Sequence, residues 1–165
     1  MIDLLIKTKS ILKDRRIITK MKYDFYLASG WFSPDQEAGR QTILDIANEL
    51  GLTYFSPKDE IVCAPGATIE QQEKVFSGNI DAIKNSRFVV VNTAGKDMGT
   101  IFEAGASYVL NKPIIYLCLG LKGNFNLMLS RSGAAVATTK DELREHLSRI
   151  QNEPYYRKEY IGNIE

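Results

Sequence analysis

The sequence contains few of the residues that build metal centres and disulfide frameworks. Its 165 residues include two cysteines, Cys63 and Cys118, and a single histidine, His146. The cysteines stand far apart without CxxC spacing, so neither a zinc site nor a disulfide is predicted, and a reducing compartment is expected. We therefore expect no bound metal. His146 falls on the last predicted helix, where we expect it to face solvent or to make a contact on the helix surface.

Long apolar segments and a strong net charge are also missing. No apolar run approaches the roughly 18 residues of a membrane span, and residues 1–20 lack the apolar segment and cleavage site of a signal peptide. The 21 basic and 20 acidic residues leave a formal charge of +1. Such a balance provides no large field for a phosphate backbone or an anionic membrane. We predict a cytoplasmic protein whose partners include neither nucleic acid nor membrane.

Two phosphate-binding motifs do not occur. The first predicted strand is followed by ASGWF at residues 28–32 where a GxGxxG turn would stand, and GxxxxGK[ST] is found nowhere. The bulky Trp31 and Phe32 would block the close backbone approach that a pyrophosphate needs, but they suit the flat face of a purine or pyrimidine ring. The sequence therefore predicts no dinucleotide or triphosphate cofactor, and an aromatic, nearly neutral ligand.

The composition predicts one globular domain preceded by a basic extension. With 44% hydrophobic and 25% charged residues, the chain can bury a sizeable core. Residues 1–20 are loosely amphipathic and carry six Lys or Arg, and the first clear core strand begins just after Met21. We divide the chain into an extension, 1–20, and a domain, 21–165. A solubilising surface helix, a subunit contact, a membrane-surface helix and a start at Met21 all remain compatible with the extension.

From residue 23 onward, apolar runs alternate with helical periodicity, as in βα units on a parallel sheet. Helix starts are predicted after Ser33, Thr68 and Thr139, each in a capping pattern. Strands are predicted at residues 24–29, 52–56, 87–92, 114–120 and 134–138. This order favours an α/β fold, a flavodoxin-like doubly wound five-stranded parallel sheet with helices on both faces, and a ligand at the carboxyl ends of the strands.

The loop after the third strand carries two carboxylates, Asp97 and Glu103, six residues apart. We expect Asp97 in the loop and Glu103 in the first turn of a helix that begins near residue 100, where the helix dipole favours the ionised form. An ionised glutamate can act as a nucleophile, and Gly99 leaves space for a ligand. A second interpretation is open, because TIFE at 100–103 is also a capping box in which Glu103 would only hold the helix start.

Residues 23–128 resemble the nucleoside 2-deoxyribosyltransferases in four segments. The segment 26–32 is similar to the first-strand motif of that family, a Tyr followed by a small-residue turn and an aromatic pair. The segment 79–84 resembles the middle helix, which carries Asp or Asn at the place of Asn79. Asp97, Gly99 and the FEAG run at 102–105 look like the central motif, and 126–128 matches the loop that closes over the sugar.

The resemblance implies a role for each matching residue. Glu103 would attack the anomeric carbon of a 2-deoxynucleoside, Tyr26 would orient that carboxylate, and Asp97 would handle the proton of the base. Asn79 would help to position the reacting centre. The implied substrate-binding residues are Trp31, Phe32 and Asp59 around the base, Gly99 beside the nucleophile, Asn126 at the sugar 5-hydroxyl and Met128 on the deoxyribose.

Two displacements through a deoxyribosyl-Glu intermediate would transfer the sugar between bases with retention. Deoxynucleosides and free bases would be the partners, and the resemblance implies a homo-oligomer. Family members often complete the pocket with a neighbour's C-terminal carboxylate, whereas this tail runs on through residues 161–165. Two alternatives remain: an N-glycosidase that uses water, although residues 28–32 lack the Arg of a phosphate turn, and a non-catalytic nucleotide-sensing module.

Overall fold

A computed structural model describes residues 21–153 and 155–165, so the predicted extension 1–20 lies outside the described residues. The strands are β1 Tyr23–Ala28, β2 Tyr54–Phe55, β3 Ser86–Asn92, β4 Ile114–Leu117 and β5 Ala135–Ala137. The helices are α1 Pro34–Glu49, α2 Pro57–Glu60, α3 Ile69–Lys84, α4 Met98–Val109, α5 Leu127–Ser132 and α6 Lys140–Asn152, with a 3₁₀ turn at Ala94–Lys96. Among these helices, none is both long and apolar enough to cross a bilayer.

The strands form one parallel sheet in the order β2-β1-β3-β4-β5. The central pair β1 and β3 is aligned with Tyr26 opposite Val89 and Ala28 opposite Val91. The strand order reverses between these two strands, so their carboxyl ends form the crevice in which doubly wound sheets bind ligands. The predicted α/β fold with five parallel strands is confirmed.

The two faces of the sheet bury separate clusters of side chains. Along β1, Phe25 and Leu27 face the side covered by α1 and α6, while Tyr26 and Ala28 face the side covered by α3 and α4. This alternation follows from the two-residue period of a strand. Each fully buried Phe or Leu side chain contributes about 1.5–3 kcal/mol. Both faces are therefore apolar, and a polar group on either face needs a partner.

Capping side chains begin the long helices where the sequence predicts. The Ser33 and Thr139 hydroxyls accept hydrogen bonds from the backbone N–H three residues later, at 3.3 and 3.2 Å. At Thr68 the capping box is complete, because the Gln71 side chain also accepts from the Thr68 N–H at 2.8 Å. These caps fix the directions in which α1, α3 and α6 leave the sheet edge.

Two short helices and one buried histidine differ from the prediction. Both α2 and α5 lie in segments that the sequence assigns to loops. His146 is 1% exposed rather than facing solvent, since it lies on the apolar side of α6 with Leu143 and Leu147. Its Nδ1 is 2.7 Å from the Tyr156 hydroxyl, and burial lowers the pKa of the imidazole. The histidine thus anchors the C-terminal segment to the domain.

The C-terminal segment, residues 155–165, returns to the loop before α5. The Phe125 N–H donates to the Asn163 carbonyl at 2.9 Å, and the Glu165 N–H donates to the Phe125 carbonyl at 3.1 Å. The Leu127 N–H donates to the Glu165 carbonyl at 3.1 Å. The Tyr160 ring packs edge-on against Phe125 with centroids 5.5 Å apart. This pairing holds the backbone on both sides of residue 126.

Candidate active site

Tyr26 and Glu103 form a hydrogen-bonded pair inside the domain. Tyr26 is fully buried in β1, and its ring stacks on Phe55 with centroids 5.7 Å apart. The Tyr26 hydroxyl donates to Glu103 Oε1 at 2.6 Å. Because the ring is fixed by packing, the hydrogen bond orients the carboxyl group. It engages Oε1 and does not involve Oε2.

Asp97 begins α4, so the helix starts earlier than the sequence predicts. Its Oδ2 accepts from the Thr100 N–H at 2.8 Å and from the Thr100 hydroxyl at 2.9 Å. Glu103 consequently lies in the second turn of α4 and not in the first. The capping-box interpretation of Glu103 is wrong, since its carboxyl group binds a phenol from β1 instead of the backbone at the helix start.

Burial controls the ionisation of Glu103. It raises the pKa of the carboxyl group from 4.5 to about 7; the Tyr26 hydrogen bond opposes this change and the charge of Asp97 adds to it. Burial, together with the adjacent carboxylate, also raises the pKa of Tyr26 above its usual range. The expectation that the helix start favours ionised Glu103 is wrong, because the unpaired N–H groups of the first turn lie out of reach. At neutral pH the two protonation states are of comparable population.

Asn79 carries an unsatisfied group on the neighbouring helix. Its Oδ1 is buried, with no hydrogen-bond partner among the described residues. Phe76, one turn earlier in α3, packs against Phe102 of α4 with ring centroids 5.8 Å apart. Because Asn79 lies three residues after Phe76, it is on the side of α3 that faces α4. A buried carbonyl without a partner is suited to accept a hydrogen bond from a ligand.

Trp31 and Phe32 form an aromatic wall after β1. Their ring centroids are 5.0 Å apart, and Phe32 is 74% exposed. The Phe32 N–H donates to Gln36 Oε1 at 2.8 Å. The Gln36 side chain therefore binds the backbone of the residue that precedes the Ser33 cap. A Cβ at Gly30 would lie 2.7 Å from the Gln36 side chain, which explains why the turn requires glycine. The exposed ring offers a flat surface at the sheet edge.

Asp59 lies in α2 with its side chain 50% exposed. Its Oδ2 accepts from Nη2 of Arg40, a residue of α1 that is 4% exposed. Arg40 is not among the residues predicted from the sequence. The signal that could have found it is helical spacing, because Arg40 lies three and seven residues before the buried Ile43 and Ala47. A cation on the inner face of a helix requires an anionic or polar partner.

Asn126 and Met128 lie at a separate cavity of about 350 Å³. Asn126 caps α5, since its Oδ1 accepts from the Met128 and Leu129 N–H groups at 3.0 and 3.2 Å. The cavity is also lined by Lys96 from the 3₁₀ turn and by Glu165. Glu103 and Tyr26 are not among its lining residues. Asn126 and Met128 thus share one cavity, and the predicted nucleophile does not line it.

Gly99 follows the cap of α4, where a Cβ would lie 3.3 Å from Asp97 Oδ2. Its lack of a side chain keeps the space beside that carboxylate open. Among the residues that the structure describes, no three His, Cys, Asp or Glu side chains group closely enough to hold a metal ion. The chemistry available at α4 is therefore that of carboxyl groups: one beside a phenol, and a second whose charge reaches it.

The fold and this site define a parallel α/β domain with a partly buried carboxyl group that is hydrogen-bonded to a tyrosine of the central strand β1. A model of the nucleoside 2-deoxyribosyltransferase family matches residues 25–137. The chain belongs to the nucleoside 2-deoxyribosyltransferase family. The match covers every strand except the first two residues of β1, and it includes all the predicted site residues. No curated protein matches the chain.

The chain is also similar to solved structures. A 2-deoxyribosyltransferase from Bacillus psychrosaccharolyticus is 26% identical, with a TM-score of 0.70 over 83% of this chain and 98% of that chain. A conserved protein from Enterococcus faecalis V583 is 16% identical, with a TM-score of 0.61 over 76% of this chain and 97% of that chain. A CMP N-glycosidase from Clostridium botulinum is also 16% identical, with a TM-score of 0.46 over 75% and 97% of the two chains.

Proposed function

We propose that this chain transfers 2-deoxyribose between nucleobases through a covalent intermediate on Glu103. Family membership supports deoxyribosyl chemistry. The observation that carries the assignment of the nucleophile is the part-buried hydrogen bond of 2.6 Å from Tyr26 to Glu103. A carboxyl group that merely stabilised the fold would gain from a cation or from helix N–H groups, whereas Glu103 is held by a neutral donor.

In the first displacement, the Glu103 carboxylate attacks the anomeric carbon while the bond from that carbon to the base nitrogen breaks. The electron pair leaves with the base, and Asp97 supplies the proton that the base takes up. In the second displacement, a nitrogen of another base attacks the same carbon, the ester bond to Glu103 breaks, and Asp97 receives the proton. Two inversions give net retention.

The surroundings of Glu103 suit both displacements. A pKa of about 7 leaves a large ionised fraction at neutral pH and makes the carboxylate more nucleophilic in the first step, while a carboxylate of this basicity can still leave in the second step. Tyr26 holds Oε1, which directs Oε2 toward the sugar. The free Oδ1 of Asn79 would accept a hydrogen bond from the substrate. Trp31 and Phe32 would stack on the base.

A homo-oligomer would complete the site. Asn126 and Met128, which would bind the sugar 5-hydroxyl and the deoxyribose, line a cavity apart from Glu103 in a single chain. Exposed apolar side chains cover the outer side of α3 and α4, including Phe76 and Phe102, and such a patch suits contact with a second copy. A site shared between copies predicts that mixing inactive Glu103→Gln and Asn126→Ala chains restores activity.

Intact-mass analysis tests the proposed reaction. After mixing with a 2-deoxynucleoside, the wild type is expected to gain the mass of a deoxyribosyl group, and Glu103→Gln is expected to gain none. Incubation with deoxyinosine, with and without free adenine, separates transfer from hydrolysis. Sugar release at the same rate without adenine would replace the transferase by an N-glycosidase, and unchanged mass and no turnover in the wild type would leave a binding module. A transferase of this kind would act in cytoplasmic nucleoside salvage.

A further inference from the structure

Arg40 is a buried cation that the proposed displacement chemistry does not use. Its Nη1 donates to Glu37 Oε1 at 3.3 Å, and its Nη2 donates to Ser56 Oγ at 3.1 Å and to the Asp59 carboxylate. Burying a guanidinium is costly unless it is paired and hydrogen-bonded. Such a residue is retained when the groups that it holds must keep a fixed geometry.

The outer part of this network is open to a ligand. Arg40 binds Oδ2 of Asp59, and half of the Asp59 side chain remains exposed, so the carboxylate is accessible to a ligand while it is held by the guanidinium. An ionised aspartate can only accept hydrogen bonds, and arginine keeps its proton at all ordinary pH values. A fixed acceptor of this kind recognises an N–H group and repels a carbonyl oxygen.

The same helix anchors both Asp59 and the aromatic wall. In the first turns of α1, Gln36 holds the backbone of Phe32, and the next residue, Glu37, belongs to the Arg40 network. Asp59 follows β2, and Phe32 follows β1, the strand beside β2 in the sheet. A flat ring that stacks on Phe32 therefore lies at the carboxyl ends of β1 and β2, on the side of the sheet where Asp59 lies.

We infer that Arg40 is a positioning residue that fixes Asp59 as the acceptor for an amino group on the base. The inference depends on the proposed function for the identity of the ligand as a nucleobase. Adenine and cytosine carry an exocyclic amino group that donates to the carboxylate. Hypoxanthine and uracil carry a carbonyl oxygen in the same place, which leaves both acceptors unpaired. The site thus selects amino bases over their oxo counterparts.

Equilibrium titration with free bases tests this selection. The wild type is expected to bind adenine at least about tenfold more tightly than hypoxanthine, with the same direction for cytosine and uracil. Arg40→Met is expected to remove most of the preference, and Arg40→Lys, which keeps the charge without the planar fork, to retain part of it. Asp59→Asn is expected to move the ratio toward hypoxanthine, because an amide also donates.

Lys58→Met is the matched control. Lys58 precedes Asp59 in the chain, but its ammonium group donates to the same Glu37 Oε1 at 2.8 Å and not to the Asp59 carboxylate, so its loss perturbs the network and should leave the adenine to hypoxanthine ratio unchanged. If the network only supported the fold, Arg40→Met would weaken the binding of all bases equally. Should Arg40→Met fail to fold by circular dichroism, the half-exposed Asp59→Asn decides the question.

The outcomes separate this inference from the proposed function. A wild-type ratio near one, an unchanged ratio in both Arg40→Met and Asp59→Asn, or no binding of any of the four bases would overturn the inference. Selective binding without a deoxyribosyl adduct on Glu103 would remove the transferase and leave the role of Arg40 intact. A deoxyribosyl adduct on Glu103 without base selectivity would support the transferase and remove the role of Arg40.

Discussion

Two carboxyl groups near the carboxyl ends of the sheet have opposite surroundings. Glu103 is held by the Tyr26 phenol, and in the described part of the chain it forms no ion pair; burial raises its pKa to about 7. Asp59 is half exposed and is held by the Arg40 guanidinium. Burial without a cation raises the pKa of a carboxyl group toward neutral pH, as at Glu103. The Arg40 guanidinium instead holds the Asp59 carboxylate in a fixed position.

The largest expected effect comes from removing each carboxylate in turn. Glu103→Gln is expected to lower the transfer rate by roughly a thousandfold or more, because the nucleophile is lost. Asp59→Asn is expected to keep adduct formation and to change mainly KM for the base. Steady-state kinetics with one donor and several acceptors measures both. Equal losses of kcat in the two variants would contradict the division between a reacting and a binding carboxylate.

Removing the phenol sharpens the contrast at Glu103. Tyr26→Phe deletes the one hydrogen bond that lowers the pKa of Glu103, so this pKa is expected to rise further. The acidic limb of the pH profile of kcat/KM is then expected to shift to higher pH. The rate at neutral pH is expected to fall roughly 10- to 100-fold. Tyr116→Phe, which loses a hydroxyl bound to Ser132 at 2.8 Å, is the control. An unchanged pH profile in Tyr26→Phe would argue against an orienting role.

Burial of Glu103 also predicts a pH dependence of stability. Its pKa is raised from 4.5 to about 7 on folding, so the unfolded chain releases this proton first. The stability contributed by the protonated group is complete below pH 4.5 and is lost as the pH rises through about 7. Relative to Glu103→Gln, the wild type is expected to lose on the order of 2–3 kcal/mol of unfolding free energy across that window. Urea denaturation at several pH values measures it; parallel curves would mean an unshifted pKa.

The smallest expected effects compare a glycine next to Arg40 with a glycine in α4, the helix that carries Glu103. A Cβ at Gly39, next to Arg40, would lie 2.6 Å from Asn92 Oδ1. Gly39→Ala is therefore expected to destabilise the fold by roughly 1–3 kcal/mol. Gly105 in α4 has open space around its Cβ position, so Gly105→Ala is expected to stabilise the helix by about 0.5–1 kcal/mol. Thermal denaturation of both variants measures the difference, and a neutral Gly39→Ala would show that Asn92 can move.

Local signals allowed much of the fold to be predicted from the sequence. The alternation of apolar runs with helical periodicity predicted five strands, and the hydroxyl caps at Ser33 and Thr68 predicted two helix starts. The start of α4 was misplaced because Asp97 and Thr100 are both good caps, and only the structure shows that Asp97 takes the position. Capping propensity alone does not decide between two good N-cap residues that lie three residues apart.

What the sequence could not reveal depends on tertiary pairing. Arg40 and Asp59 are 19 residues apart and meet only after β2 has joined the sheet. The helix α5 is six residues long, too short to persist by itself. Its N-terminal segment is paired with backbone about 40 residues later in the chain. His146 has an ordinary helical spacing, and its burial follows from the partner Tyr156. None of these contacts leaves a local pattern.

The strand-like pairing of residues 163–165 with the backbone around Asn126 has a practical consequence. The amide hydrogens of Phe125 and Leu127 end on carbonyls of that distant segment, so they can exchange with deuterium only when the segment detaches. Their exchange rates would report how often the wall of the adjoining cavity opens, independently of whether any nucleoside is turned over.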